Sequence, residues 1–266
     1  MISVQVAWAG LGDARADLLT LLDPVERGRH EETAAPADRA RFLVGCALSR
    51  LLLGELLDLP PADVQLRRVC PRCGGPHGKV RLDVPDAPAP YDFSVTHSGA
   101  LVGVAVSPDG AVGLDVEDVD VPLDVDAAAR TALSGSEFAA LYALPPAERH
   151  PAFLRVWTRK EAVLKALGVG LRLPLRGLEV SPPEAPPALL TWPLAPASHP
   201  APHLTDLRLS DLRLADLLVD GVHPATVATA VPGAGAGAGA RGAVSGPGGL
   251  RVVPRDGSAI LAAHGR

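Results

Sequence analysis

Lysine is scarce in this chain: only three of its 25 basic residues, Lys79, Lys160 and Lys165, are lysine, and the other 22 are arginine. Basic positions here default to arginine, so the exceptions stand out. Arginine offers a broad planar fork, whereas lysine is a compact, strongly hydrated point charge on a flexible stem, suited to a phosphate or to proton transfer. Cysteine is rare too. Three cysteines cannot build a disulfide framework, and an odd number suits a reducing compartment. No stretch approaches the roughly 20 uninterrupted apolar residues of a membrane span, and the opening Met1-Ile2-Ser3-Val4-Gln5 lacks the basic start of a secretory signal. These absences predict a cytoplasmic protein with no membrane partner. Excess positive charge is also missing. A net charge of −5 argues against nucleic acid as a partner, while local basic clusters can still take one phosphorylated ligand. What the chain does have is 266 residues at 47% hydrophobic content, enough for one sizeable core or two smaller ones.

Two of the lysines lie in Phe153-Leu-Arg-Val-Trp157-Thr-Arg-Lys160-Glu161-Ala-Val-Leu-Lys165-Ala-Leu-Gly168. Helical spacing puts Phe153, Val156, Trp157, Leu164 and Leu167 on one face with Lys160 in its middle, and Glu161 and Lys165 on its shoulder. An ammonium on an apolar stripe costs on the order of several kcal/mol unless an opposite charge or a phosphate compensates it. A bound anion is one solution. The other lets Lys160 reach water along its stem while Glu161 and Lys165 form a surface pair. The segment Gly113-Leu114-Asp115-Val116-Glu117-Asp118 reads as a strand leaving a turn at Pro108-Asp109-Gly110. Alternation sets Asp115 and Glu117 on one side with Cα atoms roughly 6.6 Å apart. Their repulsion is relieved by a hard divalent cation, and magnesium favours a few carboxylates plus water and substrate phosphates. A solvated strand end beside Asp118 and Asp120 is the plainer alternative. In Tyr91-Asp-Phe93-Ser94-Val95-Thr96-His97-Ser98-Gly99, alternating Phe93 and Val95 enter a turn that puts His97 at a hairpin tip, either donating to a phosphate or merely exposed.

In order and spacing these segments resemble the 4′-phosphopantetheinyl transferases, specifically the surfactin-synthetase type that modifies carrier domains of peptide, polyketide and fatty-acid synthases. Phe93-Ser-Val-Thr96-His97-Ser-Gly99 is similar to that family's F-N-I-S-H-S-G hairpin, and Gly113-Leu-Asp115-Val-Glu117 to its G-I-D-I-E strand. Trp157-Thr-Arg-Lys160-Glu161-Ala-Val-Leu-Lys165-Ala-Leu-Gly168-Val-Gly170-Leu171 is similar to its W-x-x-K-E-A-x-x-K-x-x-G-x-G-L helix, the most specific of the motifs. Upstream, Arg41-Phe-Leu-Val-Gly45-Cys-Ala-Leu-Ser-Arg50 resembles its arginine-bearing helix, and Gly78-Lys79 its G-K-P element with Val80 in place of the proline. The resemblance spans about residues 20 to 175.

That resemblance implies a magnesium-dependent transfer of the 4′-phosphopantetheine arm of coenzyme A to a serine of an acyl or peptidyl carrier protein, with release of adenosine 3′,5′-bisphosphate, in secondary metabolism. By the same carry-over Asp115, Glu117 and Glu161 hold the magnesium, with Glu161 the first choice for the base and Glu117 the second. Lys165 steadies the leaving phosphate, His97 and Lys160 touch the pyrophosphate, and Arg41, Arg50 and Lys79 are candidates for the adenosine 3′-phosphate. Thr96 joins the cofactor-binding set through its place beside His97 in the hairpin motif. The implied fold is two similar α/β subdomains in pseudo-twofold relation, the active site in the cleft between them. A cleft made within one chain needs no partner subunit, so a monomer is expected.

The residue pattern itself predicts an α+β class, because in each half helices come first and strands later. Short helices are expected over 13–23 and 24–32, a longer one from Asp38 to Leu57, and strands over 64–69, 80–83, 93–96, 101–107 and 112–117. Helices near 124–133, 136–142 and 151–167 then precede strands around 175–180, 189–192, 204–209 and 226–231. The expected division is an N-terminal subdomain over 1–109, a C-terminal one over 110–231, and a flexible Gly/Ala-rich linker with a short tail over 232–266. A small hairpin around Asp256-Gly257 is the expected form of that tail, with residues 233–266 dispensable for catalysis. Cys70-Pro-Arg-Cys73-Gly-Gly-Pro-His77 has zinc-like spacing but no second C-x-x-C, and a tight loop leading to Lys79 is the commoner outcome. Two other function classes stay open: a magnesium-dependent hydrolase of a nucleotide-diphosphate substrate, and a non-catalytic zinc-knuckle binding module.

Overall fold

The computed structural model describes residues 1–68, 74–75, 78–83, 91–170, 174–192, 207–232 and 249–265. Its architecture is mixed α+β, as the order of elements predicts. Strand β1 (Ile2–Gly10), absent from the sequence expectations, is flanked on both sides in a four-stranded sheet. Val4 and Val6 are buried on one face and Ala7 and Ala9 on the other, while Ser3 and Gln5 alternate with the apolar residues only over the first half of the strand. Helices α1 (Pro24–Glu32) and α2 (Pro36–Leu57) follow, then a short hairpin of β2 (Leu66–Arg68) and β3 (Val80–Leu82). Strands β4 (Asp92–Ser98) and β5 (Leu101–Ser107) complete the first sheet beside β1. Leu43, Val44, Ala47, Leu48, Leu52 and Leu53 of α2 bury against Phe93, Val102, Val104 and Val106 of that sheet.

Strand β6 (Ala111–Val116) begins a second, three-stranded antiparallel sheet. Helices α3 (Val125–Ala132), α4 (Gly135–Ala143) and α5 (Pro146–Leu167) come next, with a small ladder of β7 (Glu179–Val180) and β8 (Leu189–Thr191). Strands β9 (Leu212–Val219) and β10 (His223–Ala230) close the sheet in the order β6, β10, β9. Phe153, Leu154, Val156, Val163, Leu164 and Leu167 of α5 form its core with Leu212, Leu214 and Ala228. Helix α5 starts five residues before the expected 151, because Pro146 takes the first helical turn and Pro151 is carried inside the helix. The strand expected over 204–209 is displaced: 204–206 lie outside the described residues, Leu209–Asp211 is a 3₁₀ turn, and the ladder starts at Leu212. Of 175–180, only Glu179–Val180 is strand, after a 3₁₀ turn at Leu175–Gly177.

The tail is not a hairpin. β11 (Leu250–Asp256) pairs in parallel with β1 from Ile2↔Leu250 to Trp8↔Asp256, and Asp256 caps α6 (Gly257–Ala263) by accepting from the Ala259 N–H at 2.9 Å. Leu250 and Leu261 are buried. A turn at 256–257 loses to a helix because Asp256 supplies an N-cap and Ile260 and Leu261 supply an apolar face. Residues 233–248 of the expected linker lie outside the described residues. Among the described residues no helix is long and apolar enough to cross a membrane.

The two sheets meet at a seam. Strands β4 and β6 are edge strands of different sheets, and the backbone of β6 facing β4 is satisfied by side chains instead of a ladder. Val112 N donates to Asp92 Oδ2 at 2.8 Å, Leu114 N to Ser94 Oγ at 3.0 Å and Asp118 N to Ser98 Oγ at 3.1 Å. Period-two alternation along β4 points Asp92, Ser94, Thr96 and Ser98 the same way, so one row of polar residues closes the seam.

Candidate active site

Gly113 determines how closely α5 lies on β6. A Cβ at this position would stand 1.9 Å from Ala162 O and 2.4 Å from Ala166 N, so only glycine permits the contact. It brings Glu161 and Lys165 of α5 to the stretch of β6 that carries Asp115 and leads into Glu117. Lys165 Nζ reaches across the seam: it pairs with Asp115 Oδ1 at 2.6 Å and donates to Thr96 Oγ1 at 3.1 Å and Leu114 O at 3.0 Å. Thr96 Oγ1 donates to Asp115 Oδ1 at 3.3 Å, and Ser98 Oγ to Glu117 Oε2 at 2.8 Å. The Trp157 indole also hydrogen-bonds Glu117.

Charge in this cluster is only partly compensated. Burial raises the Asp115 carboxyl above its usual range, against the pull of Lys165. Burial likewise raises Glu117, with the Asp115 charge adding to it. Glu161 is pushed up to about 7 by burial and by Asp115, with Glu117 contributing and Lys165 opposing. Asp115 Oδ2 and Glu161 Oε1 are buried with no hydrogen-bond partner among the described residues. Each such atom is an unmet acceptor that a cation satisfies. Among the described residues no three or more His, Cys, Asp or Glu side chains converge closely enough to hold a metal ion as they stand. The donor chemistry nonetheless fits a hard divalent cation: two orphaned carboxylate oxygens, a third carboxylate sharing their repulsion, and one lysine for three acids.

Beside this cluster opens a pocket of about 1010 Å³, lined by residues of α1, α2, β2, β3, β4 and the end of α5. Lys165, His97, Arg41 and Lys79 all line it. His97 lies within β4, one residue before the strand ends; the hairpin tip is Gly99-Ala100, with Ser98 opposite Leu101. Gly99 takes φ 54°, and a Cβ on it would meet Asp118 Oδ2 at 1.8 Å. The His97 imidazole is held below its ordinary pKa by the protein packed round it, then by the Lys165 and Arg41 cations. Arg41 donates through Nε and Nη2 to Gly99 O at 2.9 and 2.7 Å and pairs with Asp38 at 2.5 Å. The Lys79 ammonium pairs with Asp92 and donates to Val112 O at 2.8 Å.

Two expected ligand residues stand elsewhere. Arg50 is 1% exposed and does not line the pocket; Nε pairs with Glu26 at 2.8 Å, Nη2 with Asp23 at 2.9 Å, and Nη1 donates to Val64 O at 2.7 Å. It fastens α1 to α2. Lys160 is wholly buried on the far side of α5, where Nζ pairs with Glu137 at 2.5 Å and donates to Ala132 O at 2.8 Å and Leu175 O at 3.0 Å. The compensation demanded by an ammonium on an apolar stripe is met internally, by a glutamate from α4, rather than by a phosphate. Sequence pattern also gave no signal for Arg29 and Arg68, which line the pocket. Arg68 is pushed down by burial and by the nearby Arg29 charge, with Cys46 and Glu26 opposing. In a chain with 22 arginines no single one is conspicuous. Cys70, Cys73 and His77 lie outside the described residues.

A model of the 4′-phosphopantetheinyl transferase superfamily matches residues 111–216. The 4′-phosphopantetheinyl transferase HetI of Nostoc sp. is 30% identical over 174 residues, covering 65% of this chain and 70% of HetI. The Synechocystis sp. protein slr0495 is 32% identical over 151 residues, 57% of this chain and 58% of that protein. A 4′-phosphopantetheinyl transferase of Aureobasidium melanogenum is 34% identical over 108 residues, 39% of this chain and 31% of its own length. This chain therefore spans only about three tenths of the Aureobasidium protein and under three fifths of the Synechocystis protein.

Proposed function

This chain belongs to the 4′-phosphopantetheinyl transferase superfamily, and from that premise we propose that it transfers the 4′-phosphopantetheine arm of coenzyme A to a serine of an acyl or peptidyl carrier protein, in the manner of the surfactin-synthetase type. The observation that carries the reading is the junction of a basic pocket with three acids at the seam, Asp115 buried and Glu117 and Glu161 half-buried, Lys165 belonging to both. A diphosphate ester with a further phosphate needs the first, and a divalent cation needs the second. The cleft of the two-subdomain fold is then the pocket between the α2 side of the first sheet and the C-terminal end of α5.

In the reaction the serine Oγ bonds to the phosphorus bearing the pantetheine, the P–O bond to the adenosine half breaks, and adenosine 3′,5′-bisphosphate leaves. Glu161 accepts the serine proton. Without metal its carboxyl sits at about 7, where a group is half ionised and strong enough as a base to matter. Glu117 is tied by Ser98 and Trp157 and is the poorer acceptor. Asp115, Glu117 and Glu161 would hold magnesium, which when bound neutralises charge on the diphosphate oxygens. Lys165, fixed by Thr96, stands where charge develops on the leaving phosphate. His97, Arg41, Lys79, Arg29 and Arg68 line the volume that the remaining phosphates occupy. Positioning and charge neutralisation supply most of the catalysis in phosphoryl transfer.

The test is incubation with coenzyme A, magnesium and an apo carrier domain, followed by intact-protein mass spectrometry of the carrier. A gain of one phosphopantetheine on the carrier serine is expected. An unmodified carrier contradicts the reading, and release of free phosphopantetheine without a carrier shows a hydrolase instead.

A further inference from the structure

We infer that Asp92 is a positioning residue for this reaction: it holds the ammonium of Lys79 in the pocket wall at the β4–β6 seam, where the cation meets a phosphate of the substrate. The inference rests on the reading of the pocket as the coenzyme A site. Asp92 precedes the hairpin motif and belongs to none of the segments that resemble the family, so no pattern marks it.

Lys79 leads into β3, and its stem lies over the C-terminal cap of α5, where a Cβ on Gly168 would meet Lys79 Cδ at 3.6 Å. From there Nζ reaches the other sheet, pairing with the Asp92 carboxylate and donating to Val112 O at 2.8 Å. Asp92 Oδ2 also accepts Val112 N at 2.8 Å, so one buried oxygen fixes both the lysine and the strand it rests on. A lysine stem is flexible, and ordering it at a pocket wall needs a restraint that its own strand does not provide. Asp92 also keeps the group charged. Burial pushes the Lys79 ammonium down and Arg81, two residues on in β3, pushes it further, while Asp92 opposes both. The charged groups lining the pocket from other elements include Arg29, Glu26 and Asp23 with α1, Arg41 and Asp38 of α2, Arg67 and Arg68 of β2, His97 of β4 and Lys165 of α5. Among the acidic groups, Asp92 is the carboxylate in hydrogen-bond contact with Nζ. Without its charge a larger share of Lys79 is neutral at a given pH, and a neutral amine does not attract a phosphate.

The experiment compares wild type with Asp92→Asn, which keeps the side-chain volume and an acceptor for Val112 N but loses the charge. Readouts are the KM for coenzyme A, kcat, calorimetric coenzyme A affinity over a pH series reaching up to the ordinary lysine range, and the melting temperature. The KM is expected to rise about tenfold at pH 8 with kcat within about twofold, the worth of one charge-assisted contact. The pH at which affinity falls should move downward. In a Lys79→Met background the same substitution should add less than about twofold. Asp92→Ser is the second variant, small enough to fold where Asn does not, and should show the same loss. A folded Asn or Ser variant with unchanged KM and pH profile overturns the inference, as does an equal loss in the Lys79→Met background. Wild type that binds no coenzyme A at all overturns the underlying reading as well, and that outcome is distinct because it is seen before any variant is made.

Discussion

Replacing Glu161 with Gln removes a charge that the fold bears at a loss, so activity and stability should move in opposite directions. The folded protein holds this carboxyl at about 7, up from 4.5. A group raised in the folded state binds its proton more tightly there than in the unfolded chain, so its contribution to stability falls as pH rises from about 4.5 to about 7 and stays low above that. At full weight the penalty is about 3 kcal/mol, and solvent screening of a half-buried carboxylate brings it to roughly 1–2 kcal/mol. Glu161→Gln should therefore melt about 2–6 °C higher than wild type at pH 8 without metal, with the difference vanishing near pH 4.5. The same variant should lose carrier modification by at least about a hundredfold, because the proton acceptor is gone. Paired thermal melts at the two pH values, with turnover measured on the same preparations, check this. A variant less stable than wild type at pH 8, or one that retains near-normal turnover, refutes the reasoning.

Lys160→Met leaves Glu137 buried without its cation and should cost about 3–5 kcal/mol in denaturant unfolding, while variant protein still folded keeps its KM for coenzyme A; a raised KM with unchanged stability would return Lys160 to the binding set. Removing residues 249–265 strips β11 from β1 and exposes the partners of Leu250 and Leu261, about 1.5–3 kcal/mol for each leucine, so the truncated protein should be far less stable or insoluble; a fully stable, active truncation contradicts this. Gly113→Ala drives a methyl into the backbone of α5 and should cost at least about 1–3 kcal/mol in unfolding experiments, with transfer falling further than stability explains because Glu161 and Lys165 shift relative to Asp115 and Glu117; unchanged activity would show that this contact does not set the site.

Much of the site was readable because its chemistry forces residue types into short patterns. Asp115 on a strand with Glu117 two residues on, just past its end, and Glu161 and Lys165 four apart on a helix, follow from the two periods of the backbone alone. Gly113 was visible as a motif letter, but its reason, a helix backbone resting on the strand, exists only in the packed structure. Lys160 and Arg50 misled for a shared reason: a buried cation demands compensation, and sequence does not say whether a ligand or an internal acid such as Glu137, Asp23 or Glu26 provides it. β1 does carry a legible signal, the alternation Ile2-Ser3-Val4-Gln5-Val6, which fades from Ala7 on where both faces are covered. The tail was misjudged because a parallel pairing between residues 2–8 and 250–256 leaves no local trace across so wide a sequence separation.

The central claim is that the acids at the seam and the basic pocket work as one site for a diphosphate and its cation. Calorimetric titration of coenzyme A into the wild-type protein, with and without magnesium, tests it most directly. Magnesium should tighten coenzyme A binding at least about tenfold, and Asp115→Asn should erase that gain while leaving a weaker, magnesium-independent affinity from the basic pocket. Binding that ignores magnesium, or a gain that survives loss of the Asp115 charge, would show that the acids and the pocket are separate features.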